Sequence, residues 1–261
     1  MSGTGEKWFL LNATPDVHHQ IAAAPSLHPG PEIRATPVAG VLLTDAEFDH
    51  TIGLLMLREE STLTVYGTES VLEALTSWFP VRELLSDYAH ISWSRIDIGK
   101  PLELDDRLRA TAFLTGAKAP RYVGSARHSP LGGSSEWEVG FRLEDTVTGG
   151  IVVYAPTLPR WDEKFAGQVA SADCVFLDGT FWTDDEMSGQ GAGKRTGRSM
   201  GHMPVGGADG SARALAALPA KRKIYTHINN TNPILDEGSR ERQWLTSLGI
   251  EVGRAGLEVE V

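Results

Sequence analysis

Short apolar segments recur along the chain, each bounded by Gly, Pro or Asp. Nine of them are rich in Val, Ile and aromatic residues, a composition typical of β-strands. The predicted strands cover residues 7–13, 38–44, 63–68, 90–97, 137–145, 150–156, 173–180, 223–228 and 257–261.

Helical patterns lie between these strands, with apolar residues at helical spacing or with an N-terminal capping signal. The predicted helices cover residues 48–60, 68–79, 211–220 and 239–249, and the last of them stops at Gly249. Strands interspersed with helices predict a layered α/β architecture. The Gly-rich polar stretch at 185–200 has no periodicity, which predicts a mobile surface loop in the position of an active-site lid.

The size and charge of the chain narrow the class of protein. With 261 residues, 41% of them hydrophobic, it is long enough for one large globular domain. No Pro-, Ser- or Gly-rich linker divides it, so we expect a single domain over residues 1–261. The formal net charge of −10 argues against a nucleic-acid partner, because phosphates require a basic surface.

The sequence has few features of membrane, secreted or disulfide-bonded proteins. There is no stretch of about 18 apolar residues that could span a bilayer. The N-terminal MSGTGEKWFLL lacks the basic start and apolar core of a signal peptide. Cys174 is the single cysteine, so neither an internal disulfide nor a cysteine zinc site can form, and its apolar setting predicts that it is buried. These features predict a cytoplasmic protein with no membrane partner.

Candidate chemistry gathers where predicted strands end. The stretch LLTDAEFDHTIGL, residues 42–54, sets three carboxylates and a histidine directly after a strand, and LDGTFW and YTHINNT each place an ionisable residue at a strand end. Loops at neighbouring strand ends are where open α/β sheets bind their ligands. The candidate metal ligands are therefore Asp49, His50, Asp178 and His227.

Each of these residues also has an ordinary structural interpretation. Asp49 could cap the following helix, and His50 or His227 could make unremarkable hydrogen bonds. His202 in MGHMPV and His128 in ARHSPLGG add two further histidines. The residues alone leave open a metal site that has been altered or an acidic loop, and their joint occurrence in separate segments favours the metal site.

Five segments of the chain are distinctive: KWFLLNATPD, LLTDAEFDHTIGLLMLREE, DCVFLDGTFW, MGHMPV and ADGSARALAALPAKRKIYTHINNTNPIL. Together they closely resemble the pyrroloquinoline quinone biosynthesis protein B family, which belongs to the metallo-β-lactamase-fold superfamily. The similarity runs from Lys7 to Val261. It implies an α/β fold, specifically a metallo-β-lactamase-like αβ/βα four-layer sandwich.

The superfamily pattern T-H-x-H-x-D-H-x-x-G corresponds by this resemblance to residues 44–53. Asp45 and Glu47 replace the two leading histidines of the pattern, whereas Asp49 and His50 are retained.

Other positions of the superfamily site correspond in the same way. His227 matches the last metal histidine, and Asp178 with His202 matches a later acidic and histidine pair. His128 falls where a histidine is often found, and Pro156 stands where the metal-bridging aspartate would be. Since proline cannot ligate through its side chain, the resemblance implies that one of two metal sites has been lost.

A rebuilt mononuclear site of Asp49, His50 and His227 is what remains. Two imidazoles and one carboxylate are the ligand set of non-haem Fe(II) oxygenases. The family is understood as iron-dependent hydroxylases of a tyrosine ring. The resemblance thus implies an Fe(II)- and O2-dependent hydroxylase of a tyrosine- or tryptophan-derived substrate, free or peptide-linked, in cofactor or peptide-derived natural-product biosynthesis.

The resemblance further suggests roles around the metal. His202 is the candidate for proton transfer, and Asp178 is either a fourth ligand or an acceptor that orients a ligand imidazole. Three residues of the vacated half of the site would bind an amino or phenol group of the substrate: Asp45, Glu47 and His128.

The chain also departs from the family. Members usually begin with a Gly-rich strand-turn and a cysteine knuckle, so the resemblance implies an N-terminally shortened member without the first strand or strands. An open sheet edge of this kind would suit a homodimer. Two alternative functions stay open, with Zn or Mn as the alternative cofactor. One is a metallohydrolase whose second ion is held by Asp45, Glu47 and His128, a carboxylate-rich set that prefers Mn²⁺ or Mg²⁺ over Zn²⁺, and the other is a non-catalytic carrier of a biosynthetic intermediate.

Overall fold

The computed structural model describes residues 1–31, 35–57, 62–124 and 136–261 of the protein. The chain divides into two compact units, Met1–Val139 and Gly140–Val261. Both units combine strands with helices, which confirms the expected α/β class. The expectation of one domain over residues 1–261 stays a prediction.

The first unit contains six strands, which are β1 (Trp8–Leu11), β2 (Val38–Leu42), β3 (Leu63–Gly67), β4 (Ile91–Arg95), β5 (Pro101–Glu103) and β6 (Leu108–Gly116). The first four form a parallel sheet in the order β1-β2-β3-β4. Strand β5 pairs antiparallel with β6. Because β2 is flanked on both sides, the residues that follow it emerge from the middle of the parallel sheet.

The helices of the first unit are short. They are α1 (Val17–Ala23), α2 (Phe48–Thr51), α3 (Glu69–Glu73), α4 (Val81–Ser86) and α5 (Arg121–Gly124), with 3-10 turns at Pro25–Leu27 and Ile52–Met56 and a π-helical turn at Ala74–Trp78. Their apolar faces pack on a fully buried core that includes Val41, Val65 and Leu75.

The predicted helix over 48–60 is only partly correct. Helix α2 ends at Thr51 and continues as a 3-10 turn, because the N–H of Gly53 donates to the carbonyl of Ala13 (3.0 Å) and is lost to the α-helical ladder. Residues 58–60 of that prediction lie outside the described residues. The helix predicted over 68–79 is confirmed as α3 and the π-helical turn that follows it.

The second unit is built on the strands β7 (Glu138–Asp145), which begins at the unit boundary, β8 (Ile151–Ala155), β9 (Cys174–Asp178), β10 (Arg222–Thr226) and β11 (Glu251–Val252). They lie in the order β11-β10-β9-β8-β7, parallel except for the antiparallel pair of β7 and β8. Fully buried Val153, Val175 and Ile224 show that the central strands form its core.

The helices of the second unit are α6 (Glu163–Val169), α7 (Glu186–Gly189), α8 (Ser211–Ala216) and α9 (Arg240–Ser247), with 3-10 turns at Arg198–Met200 and Pro233–Leu235. The last helix stops as predicted, with Gly249 in the left-handed conformation at φ 70°.

The segment 185–200 is more ordered than its sequence indicates. Instead of an irregular loop, it contains α7 and a 3-10 turn. Buried Glu186 fastens it, because its carboxylate accepts hydrogen bonds from the N–H of Trp182 (2.6 Å) and the hydroxyl of Thr231 (2.5 Å). Its function as a lid stays a prediction.

Two strand predictions need correction. Residues 257–261 form no strand, since the chain turns at Gly256 (φ 74°) after the two-residue β11. Strands β5 and β6 were not predicted, because Leu108, Ala110 and Ala112 alternate as buried residues but alanine is a poor strand former.

The structure also bears on membrane-spanning helices and on the setting of Cys174. In the part of the chain that the structure describes, no helix is both long and apolar enough to cross a bilayer. Cys174 is buried in β9, as predicted, and burial raises the pKa of its thiol to about 11. A thiol of this kind is a packing group and is not reactive at neutral pH.

Candidate metal-binding site

His50 is the buried histidine among the described residues of the first unit and lies in α2, just after the loop that leaves β2. Its Nδ1 atom lies 2.7 Å from Oδ2 and 2.8 Å from Oδ1 of Asp45. An ionised carboxylate can only accept hydrogen bonds, so Nδ1 must carry the proton. In the neutral ring, the lone pair is then on Nε2, which is the arrangement of a metal-binding imidazole held by a carboxylate.

Asp45 is itself held tightly. It accepts hydrogen bonds from the hydroxyl of Thr44 (2.9 Å) and from the N–H of Glu47 (2.9 Å), in addition to that from His50. Both carboxylate oxygens are thus engaged within the loop. This geometry gives Asp45 the work of orienting His50, and its suggested contact with substrate stays a prediction.

The pKa values of this pair are coupled through the short contact. Burial by itself lowers the pKa of His50, but the adjacent Asp45 carboxylate raises it to about 9. Burial likewise works to raise the pKa of Asp45, and the charge of His50 holds it below its usual range. In the metal-free protein the two side chains therefore form an ion pair at neutral pH, and a metal at Nε2 would displace a proton.

Glu47 and Asp49 lie on the solvent side of the same loop. The carboxylate of Glu47 pairs with the ammonium of Lys118 at 2.9 Å, and both side chains are about a third exposed. Asp49 has a 62% exposed side chain, and its Oδ2 atom lies 3.9 Å from Nε2 of His50. Asp49 is therefore the carboxylate of this unit that is directed toward the ligand nitrogen.

The end of β1 supports this loop from behind. Asn12 donates from its side-chain amide to the hydroxyl of Thr44 (2.9 Å) and accepts from the Thr44 N–H (2.8 Å). Its backbone has φ 64°, a left-handed conformation that asparagine tolerates better than most residues. Gly53 is required nearby, because a Cβ atom there would lie 2.1 Å from the carbonyl oxygen of Thr14.

Asp178 is the central carboxylate of the second unit and is completely buried at the end of β9. Its Oδ2 atom accepts from the N–H of Leu158 (2.8 Å) and lies 2.8 Å from Nδ1 of His202. Its Oδ1 atom accepts from the N–H (3.1 Å) and the hydroxyl (2.6 Å) of Thr180. Burial acts to raise its pKa, but His202, His227 and the hydrogen bonds keep the pKa below its usual value.

His227 follows β10 and lies beside His202. The two rings stack with their centroids 5.2 Å apart and their planes at 21°. Nδ1 of His227 lies 2.7 Å from the hydroxyl oxygen of Thr180. Its backbone has φ 55°, the second left-handed non-glycine residue in the described part of the chain.

The donor set of the second unit fits a metal ion. Asp178, His202 and His227 each offer a ligand-type atom within 4.8 Å of the others. Proximity alone would make Asp178 a ligand, but its oxygens already accept four hydrogen bonds, which suits an orienting carboxylate better. Of the two roles suggested for Asp178, the geometry favours the acceptor that fixes the imidazoles.

The loop after β8 begins with a residue that cannot ligate a metal through its side chain. Pro156 follows Ala155 directly, and the loop contributes to the site the Leu158 N–H that reaches Asp178. The loss of a bridging metal ligand at position 156 stays a prediction.

The structure brings the predicted residues together in two groups, one in each unit. The first unit assembles Asp45, Glu47, Asp49 and His50, and the second assembles Asp178, His202 and His227. His128 lies outside the described residues. The combination of Asp49 and His50 with His227 draws on both units and stays a prediction.

Sequence reasoning missed Thr180 and Asn12. Neither is a metal ligand or a titratable group. Thr180 contacts the candidate ligand His227 directly, whereas Asn12 holds Thr44, whose hydroxyl donates to Asp45. Thr180 in LDGTFW directly follows the glycine after Asp178, and a hydroxyl two residues beyond a strand-end aspartate was the available signal.

Comparison with known proteins identifies the family of the chain. A profile of the Beta-lactamase superfamily domain matches residues 7–228. Coenzyme PQQ synthesis protein B from Pseudomonas savastanoi pv. phaseolicola is 40% identical over all of this chain and 86% of its own length. The protein of the same name from Cupriavidus necator is 41% identical over 99% of this chain and 85% of its own.

Solved structures give the same result. The crystal structure of Zn(2+)-bound PqqB from Methylobacterium extorquens is 34% identical, with a TM-score of 0.90 over 100% of this chain and 86% of that one. A diphosphatase of the PhnP family shares the fold alone, at 16% identity and a TM-score of 0.62 over 96% of this chain and 78% of that one. The expected metallo-β-lactamase fold is therefore confirmed.

Proposed function

Because the chain belongs to the coenzyme PQQ synthesis protein B family of the β-lactamase superfamily, we propose that it is a metal-dependent enzyme in the biosynthesis of a cofactor of this type or of a related peptide-derived product. Its metal would be a single Fe(II), and its reaction the O2-dependent hydroxylation of a tyrosine- or tryptophan-derived ring. The ligands proposed are Asp49, His50 and His227. When bound, the iron would supply the activation of O2.

One observation carries the metal assignment. Three buried or partly buried histidines each direct Nδ1 at a protein oxygen: His50 at Asp45, His202 at Asp178 and His227 at Thr180. Each neutral ring consequently has its lone pair on Nε2, the nitrogen that metals commonly bind. Core histidines that serve packing alone do not need this repeated arrangement.

The choice of one metal over two rests on the other half of the site. Two-metal hydrolases hold their ions about 3.5–4 Å apart. Here Pro156 replaces the residue that would bridge them. The carboxylate of Asp45 already accepts hydrogen bonds from His50, Thr44 and the N–H of Glu47. The Glu47 carboxylate is paired with Lys118. This part of the chain is poorly suited to a second ion.

The residues around the ligands would position and move protons. Asp178 fixes the His202 ring, so that Nε2 of His202 can accept a proton and return it. Nearly complete burial keeps bulk water away from this imidazole, whose side chain is 12% exposed. His202 is accordingly the proposed proton-transfer residue and Asp178 the residue that orients it.

The test is anaerobic reconstitution with Fe(II), followed by metal content per chain and O2 consumption with tyrosine- and tryptophan-containing dipeptides. We expect one iron per chain and O2 uptake that depends on the dipeptide. His50→Ala and His227→Ala should lose the iron, because a three-ligand site cannot spare an imidazole. His28→Ala is the matched control, since this exposed histidine contacts the carbonyl of Ala22. Full iron content in both site variants would refute the ligand assignment.

A second candidate is a zinc-dependent hydrolase, favoured by the Zn(2+)-bound state of the relative from Methylobacterium extorquens. Imidazole and carboxylate ligands also suit Zn²⁺. The same reconstitution separates the two: two divalent ions per chain, without O2 uptake, would favour the hydrolase.

A further inference from the structure

We infer that Thr180 is a positioning residue that relays the charge of Asp178 to His227, so that one buried carboxylate fixes the tautomers of two imidazoles. This deepens the proposed function, since it concerns how the same metal site is held ready.

The hydrogen-bonding inventory around Thr180 carries the inference. Its Oγ1 atom lies 2.6 Å from Oδ1 of Asp178, 2.9 Å from the carbonyl oxygen of His227 and 2.7 Å from Nδ1 of His227. A hydroxyl has one proton to donate and two lone pairs. With Nδ1 of His202 at 3.1 Å, Oγ1 has four such contacts, and only one of them can receive its proton.

The direction of the relay follows from what each neighbour can accept. An ionised carboxylate and a carbonyl oxygen are acceptors only. If the Thr180 proton went to Nδ1 of His227, the Asp178 carboxylate would face the hydroxyl oxygen at 2.6 Å with no proton between them. The hydroxyl must instead donate to the Asp178 carboxylate, which is the shorter contact and the charged acceptor, so Nδ1 of His227 must donate to the hydroxyl.

His202 receives its tautomer by the direct route. Its Nδ1 atom is 2.8 Å from Oδ2 of Asp178 and 3.1 Å from the Thr180 hydroxyl oxygen. The carboxylate is again the acceptor, so Nδ1 of His202 carries a proton as well. The two stacked rings therefore have the same tautomer, one set directly and the other through Thr180.

The fold holds Thr180 in place for this purpose. The N–H of Gly179 donates to the carbonyl of Thr226 (2.8 Å), and a Cβ atom at Gly179 would lie 2.9 Å from Cβ of Tyr225. The side-chain amide of Asn232 binds the carbonyl of Gly179 at 2.8 Å. The residue before Thr180 is thus fixed on both sides, and little freedom is left for the hydroxyl to move away.

The experiment measures imidazole tautomers by ¹⁵N–¹H NMR in the metal-free protein, with Thr180→Val and Thr180→Ser. The wild type should show a proton on Nδ1 of both His202 and His227. Thr180→Val keeps the size of the side chain but removes the relay, so His227 should lose this preference while His202 retains it. Thr180→Ser should restore the wild-type pattern. A general loss of structure would disturb both rings alike.

Zn²⁺ affinity provides an independent readout. We expect Thr180→Val to weaken Zn²⁺ binding by roughly 10–100-fold, as does the loss of other groups that orient metal ligands. Thr180→Ser should stay near the wild-type value. Thr157→Val is the matched control, because Thr157 is buried in the loop after β8 and among the described residues its hydroxyl bonds to neither imidazole.

Two results would overturn the inference. A proton on Nε2 of His227 in the wild type would do so even if no variant folds, and so would a Thr180→Val protein with both wild-type tautomers and unchanged Zn²⁺ affinity. Because the tautomers are read without metal or O2, this outcome is separate from that of the proposed function. A protein with the expected tautomers but no O2 uptake would retain the relay and lose the oxygenase.

Discussion

In both histidine clusters of this protein a buried carboxylate orients imidazole rings, but the sequence separation of the hydrogen-bonded partners differs. In the first unit, Asp45 and His50 are five residues apart, within one loop and one helical turn. In the second unit, Asp178 reaches His202 across 24 residues, and Thr180 reaches His227 across 47. The first arrangement is determined by one short stretch of sequence, whereas the second forms only after β9 and β10 have paired.

The two sites also differ in how many rings one charge serves. Asp45 orients a single imidazole, and Asp178 orients two through its two oxygens. Loss of the carboxylate should therefore cost more in the second unit than in the first. The predictions below test this difference.

The largest effect is expected for Asp178→Asn. Replacement of an orienting carboxylate typically lowers metal affinity by roughly 10–100-fold, and we expect Asp45→Asn to fall in this range. Asp178→Asn should exceed it, because this carboxylate fixes the ligand His227 through Thr180 and also fixes His202, whose ring stacks on that of His227. Competition titration with a chelator measures both. Asp173→Asn, at the other end of β9 and paired with exposed Lys221, is the control. Equal losses of metal affinity in Asp45→Asn and Asp178→Asn would contradict the expectation that Asp178 has the larger orienting role.

The pH dependence of stability should be dominated by the first site. In the metal-free protein the pKa of His50 rises from 6.5 to about 9 on folding, so the ion pair stabilises fully below pH 6.5 and its contribution disappears as the pH rises through 9. The lowered pKa of Asp45 means that the contribution is also lost in acid, as that carboxylate becomes protonated.

Urea unfolding of the metal-free protein between pH 6.5 and 9 measures this contribution. The free energy of unfolding should fall over this window by on the order of 3 kcal/mol more in the wild type than in Asp45→Asn. If both proteins lose stability in parallel, the ion pair is not what holds the loop.

A smaller effect is expected where two backbone segments approach closely in the first unit. Gly53→Ala would place a methyl group against the carbonyl of Thr14 and should cost about 1–3 kcal/mol of unfolding free energy, since overpacking forces the backbone to move. Gly167→Ala is its counterpart in α6, where a Cβ atom meets nothing within 4 Å, and it should stabilise slightly. Thermal unfolding of the two variants compares them directly.

The sequence predicted the ligand candidates better than it predicted their supports. Asp49, His50 and His227 could be proposed because metal-ligating residue types recur at strand ends and match a known pattern. Thr180 could not, since a threonine after a glycine is ordinary and its importance depends on the pairing of β9 with β10. Asn12 was hidden for the same reason, because its partner Thr44 is 32 residues away.

Secondary structure was predictable where the sequence pattern of a segment matched the neighbours with which that segment pairs or packs. Strand β9 and helix α9 followed their sequence patterns closely. LEVEV at 257–261 alternates as a strand should, yet the chain turns away before it can pair, and alternation carries no information about a partner. Helix α2 was shortened by a hydrogen bond from Gly53 to a distant carbonyl, which no helical periodicity can reveal.

The left-handed backbones of Asn12 and His227 have a consequence for directed evolution. Glycine would adopt these angles at little cost, whereas other residues hold them at the expense of stability, and such strain concentrates at functional sites. In both positions the side chain that tolerates the strain is the one that the site uses. A screen for thermal stability alone would therefore tend to replace these two residues. It would enrich variants that fold well but have lost metal binding.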